Sequence, residues 1–244
     1  MKRLLLFILV LFVTAPVGAL TRGDIRDQIR LFVNDTDTSL PNWTDAQLNT
    51  RIEMAQIDVV KFSRCLQNTT YYTMVASQTM YAIGQDMLSI ERVSYYIVGS
   101  TSGYRNMKRY TIPGLDTEND VWENSTRGQP DKYYIWSSTI GLVTPPSISY
   151  SGKDKLKIQY VVMPSSFVAD TSVPFNDVPY LYPYHELIIW YVVSMCKVDE
   201  RLYSDAQYFD TKYYNLLKIM IAELQNKPNY FPDFRFTGPG YKGD

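Results

Sequence analysis

The spacing of apolar residues predicts two helices near the start of the chain. The first apolar set recurs at helical spacing and comprises Ile25, Ile29, Phe32 and Val33. Because Thr21 precedes Asp24 by three positions, as in a capping box, this pattern predicts a helix over 22–33. A second set follows a turn-rich break and comprises Leu48, Ile52, Ala55, Val59 and Phe62. This second pattern predicts a longer helix over 45–66.

The middle of the chain changes to a shorter period. Runs of β-branched and aromatic residues separated by turn residues predict an antiparallel sheet with hairpins over 69–163. Two of these runs flank Ala76, Ser77 and Gln78. The segment PGLDTENDVWENSTRGQP starts at Pro113 and ends in turn residues, so it is predicted to be a short helix or a long loop.

Two further helices are predicted over 180–198 and 203–225. The first is apolar on nearly all sides across residues 187–195, which indicates burial, and this run is too short to span a membrane. The apolar side of the second comprises Ala206, Phe209, Tyr213, Leu216, Leu217, Met220 and Leu224. Together the patterns predict an α+β fold. Two N-terminal and two C-terminal helices form a bundle, with an antiparallel β-hairpin and sheet region inserted between them.

The two ends of the chain differ from this domain, which is expected to cover 20–225. Residues 1–19 have the layout of a secretory signal: Lys2 and Arg3, then an apolar run over 4–13, then small residues up to Ala19. A cleaved leader, a retained terminal helix and a misassigned start all remain open. Residues 226–244 are rich in proline and glycine, which excludes regular structure. The aromatic residues of this segment predict an extended arm that docks on a partner, and they are Tyr230, Phe231, Phe234 and Phe236.

Composition narrows the classes of function. The 244 residues carry a net charge of −1, which disfavours sequence-specific nucleic-acid binding. Cys65 and Cys196 lie in helical patterns with apolar neighbours, which favours buried thiols, although a disulfide between them stays open. His185 is the sole histidine and is expected to be packed, so neither a zinc site nor a histidine-based catalytic group is predicted. The segment DTDTS lacks the glycine and glutamate of a calcium loop and is expected to be a helix-connecting turn. No nucleophile elbow, glycine-rich phosphate loop or paired-carboxylate motif stands out, so we expect no metal, no cofactor and no enzymatic activity.

Tyrosine is enriched, with 21 residues in the chain. Several occur as adjacent pairs or in one cluster: Tyr71 with Tyr72, Tyr95 with Tyr96, Tyr133 with Tyr134, Tyr213 with Tyr214, and Tyr180, Tyr182 and Tyr184. Tyrosine combines a large contact area with a hydroxyl group, which suits protein interfaces. An aromatic-rich sheet face inside one core explains the same enrichment, and both interpretations stay open here.

The order of these elements resembles the head-to-tail adaptor (connector) proteins of tailed bacteriophages, which include the tail tubular protein of short-tailed phages. WTDAQLNTRIEMAQIDVVKFSRCL is similar to the family's W-[ST]-D-x-[EQ]-L helix, and MVASQTMYAIGQDMLSIERV to its Q-x-x-Y-x-[IL] hairpin. GQPDKYYIWSSTIGLVTPP is similar to its G-x-P-x-x-Y and P-x-P segment. The resemblance continues through LKIQYVVMPSSF and VPYLYPYHELIIWYVVSMC. The chain departs from the family pattern at Ser77 (usually Gly), Gly84 (often Pro), Arg51 (usually Leu or Ile), Glu53 and Met54 (often Asn), and in its leader-like start.

The resemblance implies a structural protein of the virion, assembled in the host cytoplasm and located at the head-tail junction. Such proteins form a ring of 12 subunits beneath the portal protein and offer their lower face to a tail or nozzle protein. The genome DNA passes through the ring without sequence-specific binding, and no membrane is involved in the assembled state. The aromatic arm is then expected to bind the portal.

A second function of a different class also fits the sequence. The leader-like start is typical of a secreted or periplasmic protein, which would be an α+β interaction domain with its mature N-terminus at Leu20. That alternative predicts no affinity for a portal, and it allows Cys65 to pair with Cys196.

Overall fold

The computed structural model describes residues 18–37, 41–97, 103–119 and 121–225. Within these ranges the helices are α1 (Arg22–Val33), α2 (Asp45–Ser63), α3 (Ile112–Glu118), α4 (Glu186–Asp199) and α5 (Tyr203–Gln225). The strands are β1 (Gln67–Met74), β2 (Met80–Ala82), β3 (Met87–Tyr96), β4 (Tyr104–Asn106), β5 (Lys108–Arg109), β6 (Lys132–Trp136), β7 (Thr139–Leu142) and β8 (Gly152–Val162). The predicted α+β class is therefore confirmed.

The described residues fall into two compact units. Unit 1 comprises residues 18–56 and 166–217, and unit 2 comprises 57–165 and 218–225. The helices α2 and α5 each contribute residues to both units. Every surface and cluster described below belongs to one unit.

Helix α1 begins and ends at the residues that the sequence pattern predicts. Thr21 and Asp24 form a reciprocal capping box at its start, and Asn34 closes it in the left-handed region at φ 58°. Ile25, Ile29 and Val33 are buried, and α1 packs against α4. Phe32, the remaining residue of the predicted apolar face, is 41% exposed.

Helix α2 ends three residues before its predicted end. Arg64 has a φ of 55°, which stops the helix, and the Ser63 hydroxyl donates to the Val59 carbonyl at 2.7 Å. Leu48, Ile52, Ala55 and Val59 are fully buried. Phe62 is 39% exposed and does not join them.

The helix predicted over 180–198 has two parts. Residues Pro179–Tyr184 form a 3-10 helix, and the α-helix starts only at Glu186. Pro183 lies inside the first part and lacks the N–H that an α-helix requires, which explains the change. Within the run predicted to be buried on nearly all sides, Leu187, Ile188, Ile189, Val192 and Val193 are buried. Trp190 and Tyr191 are half-buried and Met195 is 37% exposed, so the predicted burial holds for only part of the run.

Helix α5 spans the predicted range. Among its predicted apolar positions Ala206, Tyr213, Leu217 and Met220 are buried, while Phe209, Leu216 and Leu224 are half-buried. Across the described residues, no helix has both the length and the apolar character needed to cross a membrane.

Unit 2 contains two sheets rather than the single predicted sheet. Sheet A has the strand order β1-β8-β3-β4, and sheet B has the order β2-β7-β6-β5. The runs that flank Ala76, Ser77 and Gln78 are β1 and β2, which belong to different sheets. One pair, β5 with β6, is parallel, whereas the prediction is wholly antiparallel.

The two sheets and α3 form three layers. Tyr133 on β6 packs with Tyr95 and Leu156 of sheet A in one buried cluster. The next residue, Tyr134, packs with Leu115 of α3 in a second cluster. Because successive strand residues point to opposite faces, α3 covers the face of sheet B that is turned away from sheet A. The open alternative for the PGLDTENDVWENSTRGQP segment resolves into α3 followed by a 3-10 turn at Trp122–Asn124.

Candidate interaction surfaces

The histidine and both cysteines, which could carry catalytic or metal-binding chemistry, are buried. His185 is fully buried, its Nδ1 accepts the Leu20 N–H at 3.1 Å, and burial lowers its pKa to about 4. Cys65 and Cys196 are both buried thiols, and burial raises the pKa of each to about 11. No group of three potential metal ligands occurs within the described part of the chain.

The turn between α1 and α2 is held by a buried ion pair. Arg30 donates to the carboxylate of Asp35 at 2.5 Å and to that of Asp45 at 2.7 Å. Asp35 also accepts the backbone N–H groups of Asn42 and Trp43. The carboxylate of the DTDTS segment therefore organises a helix connection, as expected from the missing calcium-loop residues.

The W-[ST]-D-x-[EQ]-L motif, which starts at Trp43, also stabilises the connection between α1 and α2. Thr44 and Gln47 form a reciprocal capping box, since each accepts a backbone N–H of the other. The guanidinium of Arg51 lies 4.4 Å from the Trp43 ring centroid and forms an ion pair with Asp199 of α4. Arg51 departs from the family pattern, and this stacking and pairing give it a structural role in unit 1.

Two of the motif segments in unit 2 meet at Pro146. The Ser77 N–H donates to the Pro146 carbonyl at 2.9 Å, and Gly128 forms a parallel bridge with Pro146. The hydroxyl of the buried Tyr81 accepts the Val75 N–H at 3.2 Å and so closes the turn that contains Ser77. The Q-x-x-Y and G-x-P-x-x-Y residues thus build one junction of the fold.

The tyrosines serve both of the roles that the sequence leaves open. Tyr95, Tyr133, Tyr134, Tyr184 and Tyr213 are buried. Among the described tyrosines, Tyr71, Tyr180, Tyr203, Tyr208 and Tyr214 are exposed. The enrichment therefore reflects core packing as well as surface presentation.

An exposed aromatic cluster marks the surface of unit 1. Phe32 and Trp190 lie 4.9 Å apart edge to face, and Trp190 stacks on Phe209 at 5.8 Å. The Lys212 ammonium group lies 4.5 Å from the Trp190 ring centroid and 4.7 Å from that of Tyr208. Tyr208 is 56% exposed, so the cluster presents aromatic area with a positive charge beside it.

A second surface, on sheet A of unit 2, escapes the sequence analysis. Tyr71, Tyr96 and Tyr104 lie together there beside Lys155 and Lys157. The alternation of lysine with leucine and isoleucine in KLKIQ indicates a face with two lysines, because alternate residues of a strand share one face. The predicted arm residues Tyr230, Phe231, Phe234 and Phe236 lie outside the described residues.

The fold and these surfaces define a class: an α+β protein whose motif residues hold its turns and helix ends together and whose outer faces carry aromatic side chains. A family model described as SU10 adaptor protein matches residues 20–234, and the chain belongs to that family. The resemblance to bacteriophage adaptor proteins is thereby confirmed, and the chain is a structural adaptor protein of a phage. No curated protein matches the chain.

Proposed function

We propose that the chain forms a ring at the head-tail junction of the virion, where it joins the portal protein to the tail or nozzle and surrounds the DNA exit channel. The observation that carries this proposal is the match of an adaptor family model to residues 20–234. The number of copies that the family resemblance implies is 12.

The surfaces of both units support an assembling protein. A ring of identical subunits needs two different, complementary faces on each copy. Exposed aromatic side chains occur in unit 1 around Trp190 and in unit 2 around Tyr104. Large aromatic residues dominate the energetics of protein interfaces, so these faces are suited to subunit or partner contacts.

The C-terminal arm is assigned to the portal. Each buried aromatic side chain contributes about 1.5 to 3 kcal/mol before ordering costs. The arm offers four aromatic side chains for burial on a partner: Tyr230, Phe231, Phe234 and Phe236. Repetition around a ring multiplies weak single contacts into firm attachment. The net charge of −1 is compatible with DNA passing through the channel without adhering.

The first test is intact-protein mass spectrometry of density-purified, DNA-filled particles. The chain is expected in those particles, and its mass also reports whether residues 1–19 are retained. A chain found solely in the exported soluble fraction, with the mass expected for a chain that starts at Leu20, would refute the virion assignment and support the secreted alternative.

The second test addresses the arm. Deletion of residues 228–244 is expected to abolish binding to the portal protein in a pull-down, while circular dichroism of the chain stays unchanged. Serine substitution of the four aromatic residues should have the same effect. A matched control replaces Asn226, Lys227 and Asn229 by alanine and should bind normally. Undiminished binding by the serine variant would refute the arm assignment and leave the ring proposal standing.

A further inference from the structure

Sheet A carries a basic aromatic surface, which we call the tyrosine–lysine face and define by Tyr71, Tyr96, Tyr104, Lys155 and Lys157. The Lys155 ammonium group lies 3.6 Å from the Tyr96 ring centroid, and that of Lys157 lies 5.5 Å from Tyr104. The Tyr104 ring contacts Tyr96 at 5.5 Å and Tyr71 at 5.9 Å. Lysines held over tyrosine rings keep both the positive charge and the aromatic area at fixed positions.

This face is the outer side of sheet A. Leu156 and Ile158 alternate with Lys155 and Lys157 along β8 and are fully buried between the sheets. Tyr71 lies directly opposite Lys157 in the register, and it is 47% exposed. The nearby Arg92 is exposed and adds a further positive charge. Its neighbour Glu91 forms an ion pair with Arg64 at 3.0 Å, so that carboxylate is already compensated.

The opposite side of unit 2 carries a group of carboxylates beside Lys108 and Lys132, which lie in register on β5 and β6. The acidic cap, defined as residues 112–119 and 121–124, contains three acidic residues and no basic residue. Within it Glu118 and Glu123 are exposed, and Val121 is 56% exposed. Asp116 is held by the Trp122 indole N–H at 2.9 Å. Lys132 of β6 pairs with Glu118 at 2.7 Å and offsets part of the negative charge.

A cleft lies beside the acidic cap. Its volume is about 480 Å³, and Glu118, Asp131, Leu115 and Trp122 are among the residues that line it. Lys132 also lines this cleft and pairs with Glu118 there, while the Asp131 carboxylate and the apolar and aromatic wall match the ammonium group and the methylene stem of a further lysine side chain. Trp136, on the same side of sheet B as Tyr134, is 61% exposed near this side of the unit.

The three-layer order places these two surfaces at opposite poles of unit 2. The tyrosine–lysine face lies outside sheet A, and the acidic cap lies outside sheet B, because α3 packs on Tyr134 and the sheets pack through Tyr133. One molecule therefore carries two faces of complementary charge that point away from each other. A contact between such faces is heterologous, the type that closes into a ring when the rotation between copies allows it.

We propose that the acidic cap of one copy of this chain docks on the tyrosine–lysine face of the next copy. This inference rests on the proposed ring and names the two faces that would form its subunit contact. Exposed Trp136 and Val121 supply apolar area at the acidic side, and the tyrosine rings supply it at the basic side. A basic aromatic face also attracts nucleic acid, but the same molecule carries the complementary acidic pole, which favours a second copy.

Carboxyl–amine cross-linking of the full chain tests the contact directly. Equal amounts of ¹⁵N-labelled and unlabelled chain are mixed and treated with a zero-length reagent, and mixed-isotope peptides are identified by mass spectrometry. Mixed-isotope links from Lys155 or Lys157 to Glu118 or Glu123 are expected. Mixed-isotope links at other positions alone would overturn the inference and leave the ring standing. A complete absence of links between copies would overturn both.

Charge reversal supplies a second, reciprocal test. The self-association constant measured by sedimentation velocity should fall roughly tenfold or more in each of the variants K155E/K157E and E118K/E123K, since like charges then face each other. An equimolar mixture of the two variants restores opposite charges at every contact and should recover association. The control K61E/D27K changes exposed charges elsewhere and should behave as the unmodified chain.

The outcomes of the reversal experiment are also distinct. Unchanged association of both variants would refute the proposed contact. Loss without recovery in the mixture, with folding retained by circular dichroism, would refute it as well. Loss of DNA retention on a filter by K155E/K157E, without any change in self-association, would reassign the tyrosine–lysine face to nucleic acid.

Discussion

Unit 1 and unit 2 are held together by different kinds of interaction. In unit 1, arginines of α1 join loops and helix ends: Arg22 and Arg26 pair with Asp170, and Arg30 pairs with Asp35 and Asp45. In unit 2, aromatic residues such as Tyr95, Tyr133 and Tyr160 fill the space between two sheets.

The difference has a physical origin. Helices satisfy their own backbone groups, so their relative placement depends on side chains at their ends and connections. Sheets are linked through their backbones and need side chains mainly to fill the interior. Unit 1 should therefore respond most to charge changes and unit 2 most to volume changes.

The largest expected effect is the loss of the buried ion pair in unit 1. Asp35→Ala leaves the Arg30 guanidinium with one carboxylate fewer and two backbone N–H groups without their acceptor. We expect the free energy of unfolding to fall by about 3 to 5 kcal/mol. Denaturant unfolding measures the loss, and hydrogen exchange should localise it to unit 1. The exposed Asp27→Ala on the same helix should change stability by no more than about 0.5 kcal/mol, and a similar loss there would contradict the assignment.

Acid should weaken unit 1 through His185. Burial, opposed by the charge of Asp177, holds the pKa of His185 at about 4, below the value of about 6.5 in an unfolded chain. The unfolded state therefore binds the proton first. The contribution of His185 to the free energy of unfolding is constant above about pH 6.5. Protonation of the unfolded state lowers that free energy by on the order of 3 kcal/mol as the pH drops from about 6.5 to 4.

The measurement for this prediction is urea unfolding across that pH range. His185→Asn keeps an acceptor for the Leu20 N–H and removes the titrating ring. The asparagine variant should lose the dependence between pH 6.5 and 4, and an unchanged slope would assign the acid sensitivity to other groups.

In unit 2 the matching test is a single added methyl group. A Cβ at Gly141 would overlap the ring of Tyr134, which lies opposite Gly141 on the neighbouring strand. Gly141→Ala should therefore cost about 1 to 3 kcal/mol, with faster hydrogen exchange in sheet B. At Gly128 the added methyl would meet Thr144 at an ordinary 3.5 Å. Gly128→Ala should cost less than Gly141→Ala, and equal costs would show that steric contact is not the cause.

The smallest expected effect is a gain at the turn between β1 and β2. Ser77 has a φ of 69°, a conformation that glycine adopts with less strain, and glycine is the usual residue there in the resembling family. Ser77→Gly should stabilise unit 2 by about 0.5 to 1 kcal/mol, measured by thermal unfolding. Ser89→Gly, within β3, serves as the control and should destabilise instead. A loss at both positions would refute the strain argument.

The same contrast explains what the sequence could predict. Helix α1 and its Thr21 cap follow from local spacing, and so does the start of α2 at Asp45. The division into two sheets does not, because β8 pairs with β1 and β3, which are distant in sequence. Local patterns indicate that a strand exists but carry no information on its distant partner.

The surfaces show the same limit. The charge of the acidic cap can be read from PGLDTENDVWEN, and the alternation in KLKIQ places two lysines on one face. That Tyr96 and Tyr104 lie under those lysines depends on the β3–β4 and β3–β8 pairings. Buried pairs such as Tyr134 with Gly141 likewise become visible only once the register is known.

The central place of β8 in sheet A also has a consequence during synthesis. Strand β1 starts at Gln67, whereas its partner β8 starts at Gly152, roughly 85 residues later. At about 5 to 20 residues per second, a ribosome needs roughly 4 to 17 s to deliver that partner. Over this interval β1 and β3 each lack β8, the strand that pairs with both, so each has an unpaired edge. The polar composition of QNTTYYTM would keep the exposed β1 of the nascent chain from associating with other chains. Sheet A is therefore completed only once β8 has been synthesised, and unit 1, whose second segment 166–217 follows β8 in the chain, is completed after it.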